Sequence, residues 1–453
     1  MAVSSVVRKS ELEGALRLDA EYYRPKYLAT LDALRALKAT PLEAVARPAR
    51  RRFKAKEGEP FSYIEISEVN TSTGAVNAMT LRGEEAPDRA QWIVRGGDVI
   101  VSTVRPARNA VALVSEAEDD FVCSSGFAVL KAVAVRPEFL FVYLKARPIV
   151  ELLDRRTTAT MYPAVSWQDV LGIPVFSPDK TDEQFVAERV TEAQAQSKRS
   201  ESLYLWAERM VVGELGWESL DLSQPKWWMV PVSRARGVGR LDADHFQPKY
   251  DRLIGHLEGT GKARSLGEIA RYIKRGVQPR YVEGGGVLAI NSRYVGKQLI
   301  NTEQAERTDV AFWDDNPRAR AYKHDVIMNS TGWGTIGRTN CVLHDGKTVV
   351  DNHVTIIRVK DGACDPVYLA VYLNSRAGLM QTDKWLSGSS GQIELYPEDI
   401  AGFVVYMASE KVQARVADLV MQSHDARQKA RALLEEAKRK VEALIEGAQQ
   451  GQG

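Results

Sequence analysis

The chain has 453 residues, 44% hydrophobic and 26% charged, which is enough for two or more soluble domains with proper cores. A net charge of only +2 excludes a polycation, so any nucleic-acid surface must come from local clusters of Lys and Arg. Three cysteines (Cys123, Cys341, Cys364) without metal-like spacing, no leader pattern and no apolar run near about 18 residues point to a cytoplasmic protein with reduced thiols.

The first distinctive stretch is Arg17-Leu18-Asp19-Ala20-Glu21-Tyr22-Tyr23-Arg24-Pro25-Lys26-Tyr27, because it recurs 223 positions later as Arg240-Leu241-Asp242-Ala243-Asp244-His245-Phe246-Gln247-Pro248-Lys249-Tyr250. Seven of the eleven positions are identical. A repeat on this scale fixes the architecture before any chemistry is considered, and two related halves suggest a partner with two similar halves. The signature reads as a start signal for each half, with Asp19 and Asp242 near the N-terminus of a helix.

Tyr27, Leu31, Leu34 and Leu37 then follow one helical face, and short apolar segments come next at 41–46 and 265–270. Strands are expected in matched pairs: 61–66 with 287–291, 98–103 with 325–330, and 126–130 with 353–357. Helices opening on Pro137 and Pro366 follow, where a proline's missing N–H costs nothing. Small-residue loops at 157–162 and 387–392 lead into closing strands at 173–176 and 403–406. The fold class is therefore α+β: two pseudo-repeated domains, separated and followed by long coiled-coil helices. The expected boundaries are a first domain 1–179, a spacer helix 180–213, a connector 214–239, a second domain 240–408, a C-terminal helix 409–447 and a disordered tail 448–453.

The helix seams run through Val186, Val190, Ala193, Ser197, Ser200, Tyr204, Ala207 and Val211, and through Val412, Val416, Leu419, Ser423, Ala426, Ala430, Leu433, Ala437 and Leu444. Steps of four and three are the period of a coiled coil, and favour two helices packed on each other. The seam shape leaves open a groove for another subunit, and the contrary reading lays each helix on its own domain. In the connector, Trp227 and Trp228 read as packing anchors.

Arg47 to Lys56 carries six basic residues in ten and no acid; Arg271 to Arg280, in the corresponding place, carries four. Paired basic runs holding aromatic or apolar residues suit a phosphate backbone, where cation clustering releases counterions. Base reading needs Arg for guanine or Asn and Gln for adenine. The loops after the shared Asp-Val-Ile strands offer that chemistry at 104–109 and 331–340 while otherwise diverging. The candidate DNA-binding residues are Arg50, Arg51, Arg52, Lys54, Arg105, Arg108, Asn109, Lys274, Arg275, Arg280, Arg338 and Asn340. Gly332-Trp333-Gly334-Thr335-Ile336-Gly337 has the form of a dinucleotide fingerprint, but an apolar strand-like stretch follows where a helix is required, so its glycines read as turn formers. No amino-methylation motif, phosphate loop, zinc pair or nucleophile elbow occurs.

The order of parts, with the duplicated 17–27 and 240–250, the Asp-Val-Ile strands and their Arg/Gly loops, and the closing segments 157–178 and 387–408, resembles the specificity subunit of type I restriction–modification systems over nearly the whole chain. It departs from that pattern in the first half, where Pro106-Ala107-Arg108-Asn109 replaces the Gly-x-Ile-Gly turn of 334–337. The resemblance implies a chain without catalysis of its own, each target-recognition domain reading one half of a bipartite DNA target. It implies helices that space the domains, a helix of about 32 residues spanning ~48 Å or ~14 base pairs. It also implies docking of two methyltransferase subunits on those helices, through Val190, Tyr204, Leu419 and Leu433. Nuclease/translocase subunits would join beyond, and S-adenosylmethionine would belong to the methyltransferase, leaving no cofactor or metal here. The competing reading is a non-catalytic scaffold whose paired helices recruit protein or RNA partners.

Overall fold

The computed structural model describes residues 4–12, 17–157, 161–217, 220–388 and 393–450. It divides into two compact units, Met1–Lys198 with Ala426–Gly453, and Arg199–Asp425. These bounds differ from the expected 1–179 and 240–408, because each unit takes in a part of both long helices as core.

The first unit opens on a 3-10 turn, Ala20–Tyr23, and α1 (Pro25–Ala36). Ten short strands follow: β1 (Thr40–Pro41), β2 (Ala46–Pro48), β3 (Pro60–Ile64), β4 (Met79–Arg82), β5 (Ala90–Ile93), β6 (Asp98–Ser102), β7 (Val111–Leu113), β8 (Val122–Ser124), β9 (Phe127–Ala132) and β10 (Pro174–Val175). Between β9 and β10 stand α2 (Pro137–Lys145), α3 (Arg147–Asp154) and α4 (Trp167–Leu171), and α5 (Lys180–Leu215) comes after. The strands form sheets of order β2-β9-β6-β7, β4-β3-β8-β5 and β1-β10, with β3 and β8 parallel.

The second unit repeats this ten for ten. After α6 (Val232–Val238) and α7 (Pro248–Gly259) come β11 (Ala263–Ser265), α8 (Leu266–Ile269), β12 (Ala270–Arg275), β13 (Val287–Ile290) and β14 (Glu306–Thr308). Then follow α9 (Val310–Asp315), β15 (Arg320–Ala321), β16 (Val326–Asn329), β17 (Thr339–Cys341), β18 (Thr348–Val350) and β19 (Val354–Val359). The last elements are α10 (Pro366–Asn374), α11 (Arg376–Trp385), α12 (Pro397–Ala401), β20 (Val404–Tyr406) and α13 (Glu410–Gln450). The sheet orders are β12-β19-β16-β17, β14-β13-β18-β15 and β11-β20, with β13 and β18 parallel.

Side chains alternate across a strand, so the central strands can feed two cores at once. In the first unit Val99, Val101 and Leu130 face the α2–α3 layer with Phe139 and Leu144, while Ile100 and Val129 face the second sheet with Ile64 and Val94. In the second unit Val326 and Met328 join the helical core and Ile327 and Ile356 the other. Burial on both faces is why these strands are apolar without a break.

The long helices pack on each other, running antiparallel. In the first unit Val186, Val190 and Ala193 share a core with Ala430, Leu434, Ala437 and Val441, flanked by Arg189–Glu436 (3.0 Å), Lys429–Glu192 (2.7 Å) and Lys440–Asp182 (2.6 Å). In the second, Tyr204, Ala207 and Val211 meet Val416, Leu419 and Val420. There the Ser423 hydroxyl donates to the Ser200 carbonyl at 2.7 Å, and the two hydroxyls stand 3.0 Å apart. These serines are 223 positions apart, the offset of the repeated signature.

This packing corrects several expectations. Val190, Tyr204 and Leu419 lie in the chain's own cores, so they are not free to dock a partner. The inner leucine of α13 is Leu434 rather than Leu433, which is only partly buried, because the seam beyond Ala430 runs through 434, 437, 441 and 445. Of the two connector tryptophans Trp227 is 74% exposed, unlike a packing anchor, and Trp228 is half-buried; the connector contains α6. Ala448 packs on the first core within α13, so the helix enters the expected tail; 451–453, and parts of both small-residue loops (158–160 and 389–392), lie outside the described residues.

The signature is a clasp. Arg17 pairs with Asp19 at 2.6 Å and Arg240 with Asp242 at 2.8 Å, and neither aspartate caps a helix N–H with its side chain. The Arg155 guanidinium, just past α3, donates to the Tyr22 carbonyl at 3.3 Å; Lys384 of α11 donates to the His245 carbonyl at 3.1 Å. Both copies thereby fasten to the end of the later helix of a pair in their own unit, α3 after α2 and α11 after α10.

Candidate nucleic-acid interface

The first basic run follows β2 out of its sheet. Arg50 is exposed, its guanidinium 5.1 Å from the Trp167 ring centroid, and exposed Arg52 lies 5.9 Å from that of Trp92. The two indoles meet edge to face at 5.7 Å, so two cations flank an aromatic pair. Lys54 is exposed. Arg51 is a correction: it pairs with the buried carboxylate of Asp98 at the start of β6 and donates to the Ile93 carbonyl at 3.2 Å, so it holds the sheet together instead of facing a ligand.

The second run begins on β12 and continues past it; Lys274 on the strand and Arg280 beyond it are exposed. Arg275 occupies the place of Arg50 by register, paired opposite Thr355 as Ala49 bonds beside it to Val129 of β9. It too lies 5.1 Å from an aromatic centroid, that of Tyr396. Unlike Arg50, it is claimed by the Glu394 carboxylate at 3.3 Å and the Leu395 carbonyl at 3.0 Å. It is therefore a structural arginine, the second correction. The first unit has Ala164 at the bridge position that Glu394 fills, which leaves Arg50 to its ring.

The loops after β6 and β16 hang from the same backbone frame. Val104 bridges Ala164 and Thr331 bridges Glu394; the Arg105 N–H donates to the Pro163 carbonyl at 2.7 Å, and the Gly332 N–H to the Ile393 carbonyl at 3.3 Å. Arg105 thus stands where the second unit has glycine. Its φ is +49°, a left-handed conformation that costs a side-chain-bearing residue ~1–2 kcal/mol, whereas Gly332 at +106° has no side chain to strain. The Arg105 guanidinium lies 5.5 Å from the ring centroid of Tyr162, which is 68% exposed. Arg108 is exposed on the 3-10 turn that follows. In the second unit the tip is Trp333, 78% exposed between Gly332 and Gly334, and Arg338 is half-buried at the base. The glycines of the dinucleotide-like string are turn formers, with positive φ at 332, 334 and 337 and β17 next.

Asn109 and Asn340 are the remaining corrections. The Asn109 amide donates to the Lys145 carbonyl at 3.0 Å. Asn340 is buried and donates to the carbonyls of Gly296 (3.0 Å) and Lys297 (3.2 Å). Both serve a latch that the sequence did not disclose. Lys145, the last residue of α2, is buried and donates to the carbonyls of Thr71 (2.7 Å) and Asn109 (3.3 Å). Asn374, the last of α10, donates to those of Thr339 (2.6 Å) and Lys297 (3.2 Å) and accepts from the Thr339 N–H at 3.0 Å. One position in each unit ties the loop after the third strand to the connection between the sixth and seventh, which in the second unit is the first residue of β17. Burial pushes the Lys145 amine down from 10.5 to about 7.

Among the described residues, no group of three or more His, Cys, Asp and Glu is placed to hold a metal, and no helix is long and apolar enough to cross a membrane. The three cysteines are buried and unpaired, and burial raises each thiol well above its ordinary value. The aromatic partners Trp92, Tyr162, Trp167 and Trp333 escaped sequence reasoning. Their only signal was an arginine or glycine turn at matching places in the two halves.

No protein-family model matches the chain. Over 112 residues it is 26% identical to the "Type I restriction enzyme HindI specificity subunit" of Haemophilus influenzae, a match covering 24% of this chain and 24% of that relative. Solved structures align over most of the chain with low superposition. A crystal structure of the HsdS subunit from Thermoanaerobacter tengcongensis is 22% identical, with 91% of this chain and 96% of that one covered at a TM-score of 0.31. The S subunit of a type I system from M. genitalium is 12% identical, with 90% and 95% covered at 0.40. Over that quarter of its length, the chain is similar to a type I restriction enzyme specificity subunit.

Proposed function

We propose that this chain is the DNA-specificity subunit of a type I restriction–modification complex, each unit reading one half of a bipartite, asymmetric target. The observation that carries the reading is the pair of ten-strand frameworks with one topology, whose corresponding loop tips differ: Arg105 with Tyr162 in one, Trp333 between glycines in the other. A conserved frame presenting different tips is what two reading heads with different base preferences require. Exposed Arg50, Arg52, Lys54, Arg108, Lys274 and Arg280 suit phosphate contacts that position the duplex.

The chain itself performs no catalysis in this role. Methyl transfer from S-adenosylmethionine belongs to two partner methyltransferase subunits, with nuclease/translocase subunits joining them, and the paired helices set the gap between half-sites. Since the inner seam is filled, the partner side chains are outward ones: Leu205, Trp206 and Met421 are exposed apolar residues on α5 and α13.

The test is methylome sequencing of a host expressing the chain with its methyltransferase. A two-part motif is expected, and replacing 1–179 by the same domain of a relative should change one part alone. A swap that alters both parts, or neither, sinks the assignment. Salt-sensitive duplex binding without any sequence preference would favour the scaffold reading.

A further inference from the structure

We infer that Arg105 is a specificity-determining residue that reads a guanine in the half-site of the first unit; the inference rests on the DNA-specificity reading above. Three observations meet at this side chain. The first is its backbone, held at φ +49° where the second unit uses Gly332 on an equivalent frame. Strain at a loop tip persists when the side chain it carries is needed and the surroundings hold it. Here the surroundings are the Arg105 N–H bond to Pro163, the Val104–Ala164 bridge and the Arg108 N–H bond back to the Arg105 carbonyl at 2.9 Å.

The second is what the guanidinium rests on. Arg51, Arg275 and Arg358 are claimed by the carboxylates of Asp98, Glu394 and Asp325. Arg105 lies over the exposed ring of Tyr162 instead. A ring beneath a guanidinium stabilises the cation through its face without using up the N–H donors, so the fork stays available to a pair of acceptors. Guanine offers such a pair, O6 and N7, at its major-groove edge. The third is Lys145, which binds the carbonyl of Asn109 at the far end of the same turn and so fixes the tip from behind. Lys145 acts through the loop and is a positioning residue.

The decisive variant is Arg105→Gly, which installs the residue that the second unit carries. Because glycine relieves the left-handed strain, its melting temperature should equal or exceed that of the wild type, so lost specificity cannot be blamed on unfolding. In the complex with the methyltransferase, the methylome should show one guanine of one half-site becoming degenerate, with the other half-site intact. Arg105→Lys, which keeps the charge and loses the fork, should show the same degeneracy. For duplex carrying 7-deazaguanine at that position, the wild-type complex should bind about 10-fold or more weakly, and Arg105→Gly should not discriminate.

An unchanged motif in Arg105→Gly overturns the inference. So does uniform weakening on all sequences with a shallower salt dependence, the mark of a phosphate contact. If the wild-type chain directs no two-part motif at all, the DNA-specificity reading itself falls.

Discussion

A buried lysine is an expensive way to close a latch, and Lys145 makes the first unit sensitive to pH. Its amine is lowered to about 7 by burial, with Lys438 lowering it further and Glu435 opposing. The unfolded chain keeps the ordinary value, so between about 7 and 10.5 the unfolded state binds more protons than the folded one. Stability should therefore rise as pH climbs through that window, and the contribution is lost below about 7. Denaturant midpoints measured from pH 6 to 9 should show this slope in the wild type, and Lys145→Asn, the choice of the second unit, should flatten it.

Asp98 and Asp325 pose the same problem and solve it differently. Each is a buried carboxylate at the start of a central strand. Asp98 takes Arg51, from the stretch that follows the edge strand β2, and the Arg95 N–H at 2.8 Å. Asp325 takes Arg358 of β19 in a two-pronged pair at 2.7 Å and 2.7 Å, and the Tyr322 N–H at 2.8 Å. Removing the arginine leaves a buried charge held by a backbone N–H, a loss of roughly 3–5 kcal/mol. Arg358→Ala should fall in that range. Arg51→Ala should sit at its lower end, since Arg51 is one-third exposed; calorimetry of each variant decides. Basic runs were legible in the sequence as charge, but not which cations were spoken for. Asp98 lies 47 residues from Arg51, and no local spacing announces that pair.

At the level of elements, what buries two faces was plain and what turns was not. The strands at 98–102 and 326–329 declared themselves because both faces are covered, and α2 and α10 because proline opens each. The 3-10 turns and the latch residues had no periodic signal, since their roles are set by carbonyls that arrive from distant loops. The seam of α13 was legible in period and misread by one residue in its last turns. Leu434→Ala should accordingly cost about 2–5 kcal/mol, and Leu433→Ala, at the rim, less than ~1 kcal/mol, both read from thermal melts followed by circular dichroism. A wider step of the same kind explains the partner residues: a coiled-coil period marks what one helix buries, and here another helix of the same chain already occupies that face.

For the whole molecule, a net charge of +2 conceals a sorted distribution, in which Arg51 and Arg358 balance buried carboxylates while other cations of the basic runs stay exposed. Duplex affinity should follow the exposed set, so Lys274→Ala with Arg280→Ala should weaken binding on all sequences and reduce the salt slope by about 2. The unlike partners of Asp98 and Asp325 also bear on how such chains diversify. A crossover between the edge strand and the central strand that joins the start of the second unit to the end of the first would follow Arg275 with Gly276 and leave Asp98 without its arginine. The opposite crossover would supply Asp325 with two. Recombination between the halves is therefore not reciprocal, and the exchangeable cassette is the complete stretch that contains both members of each buried pair.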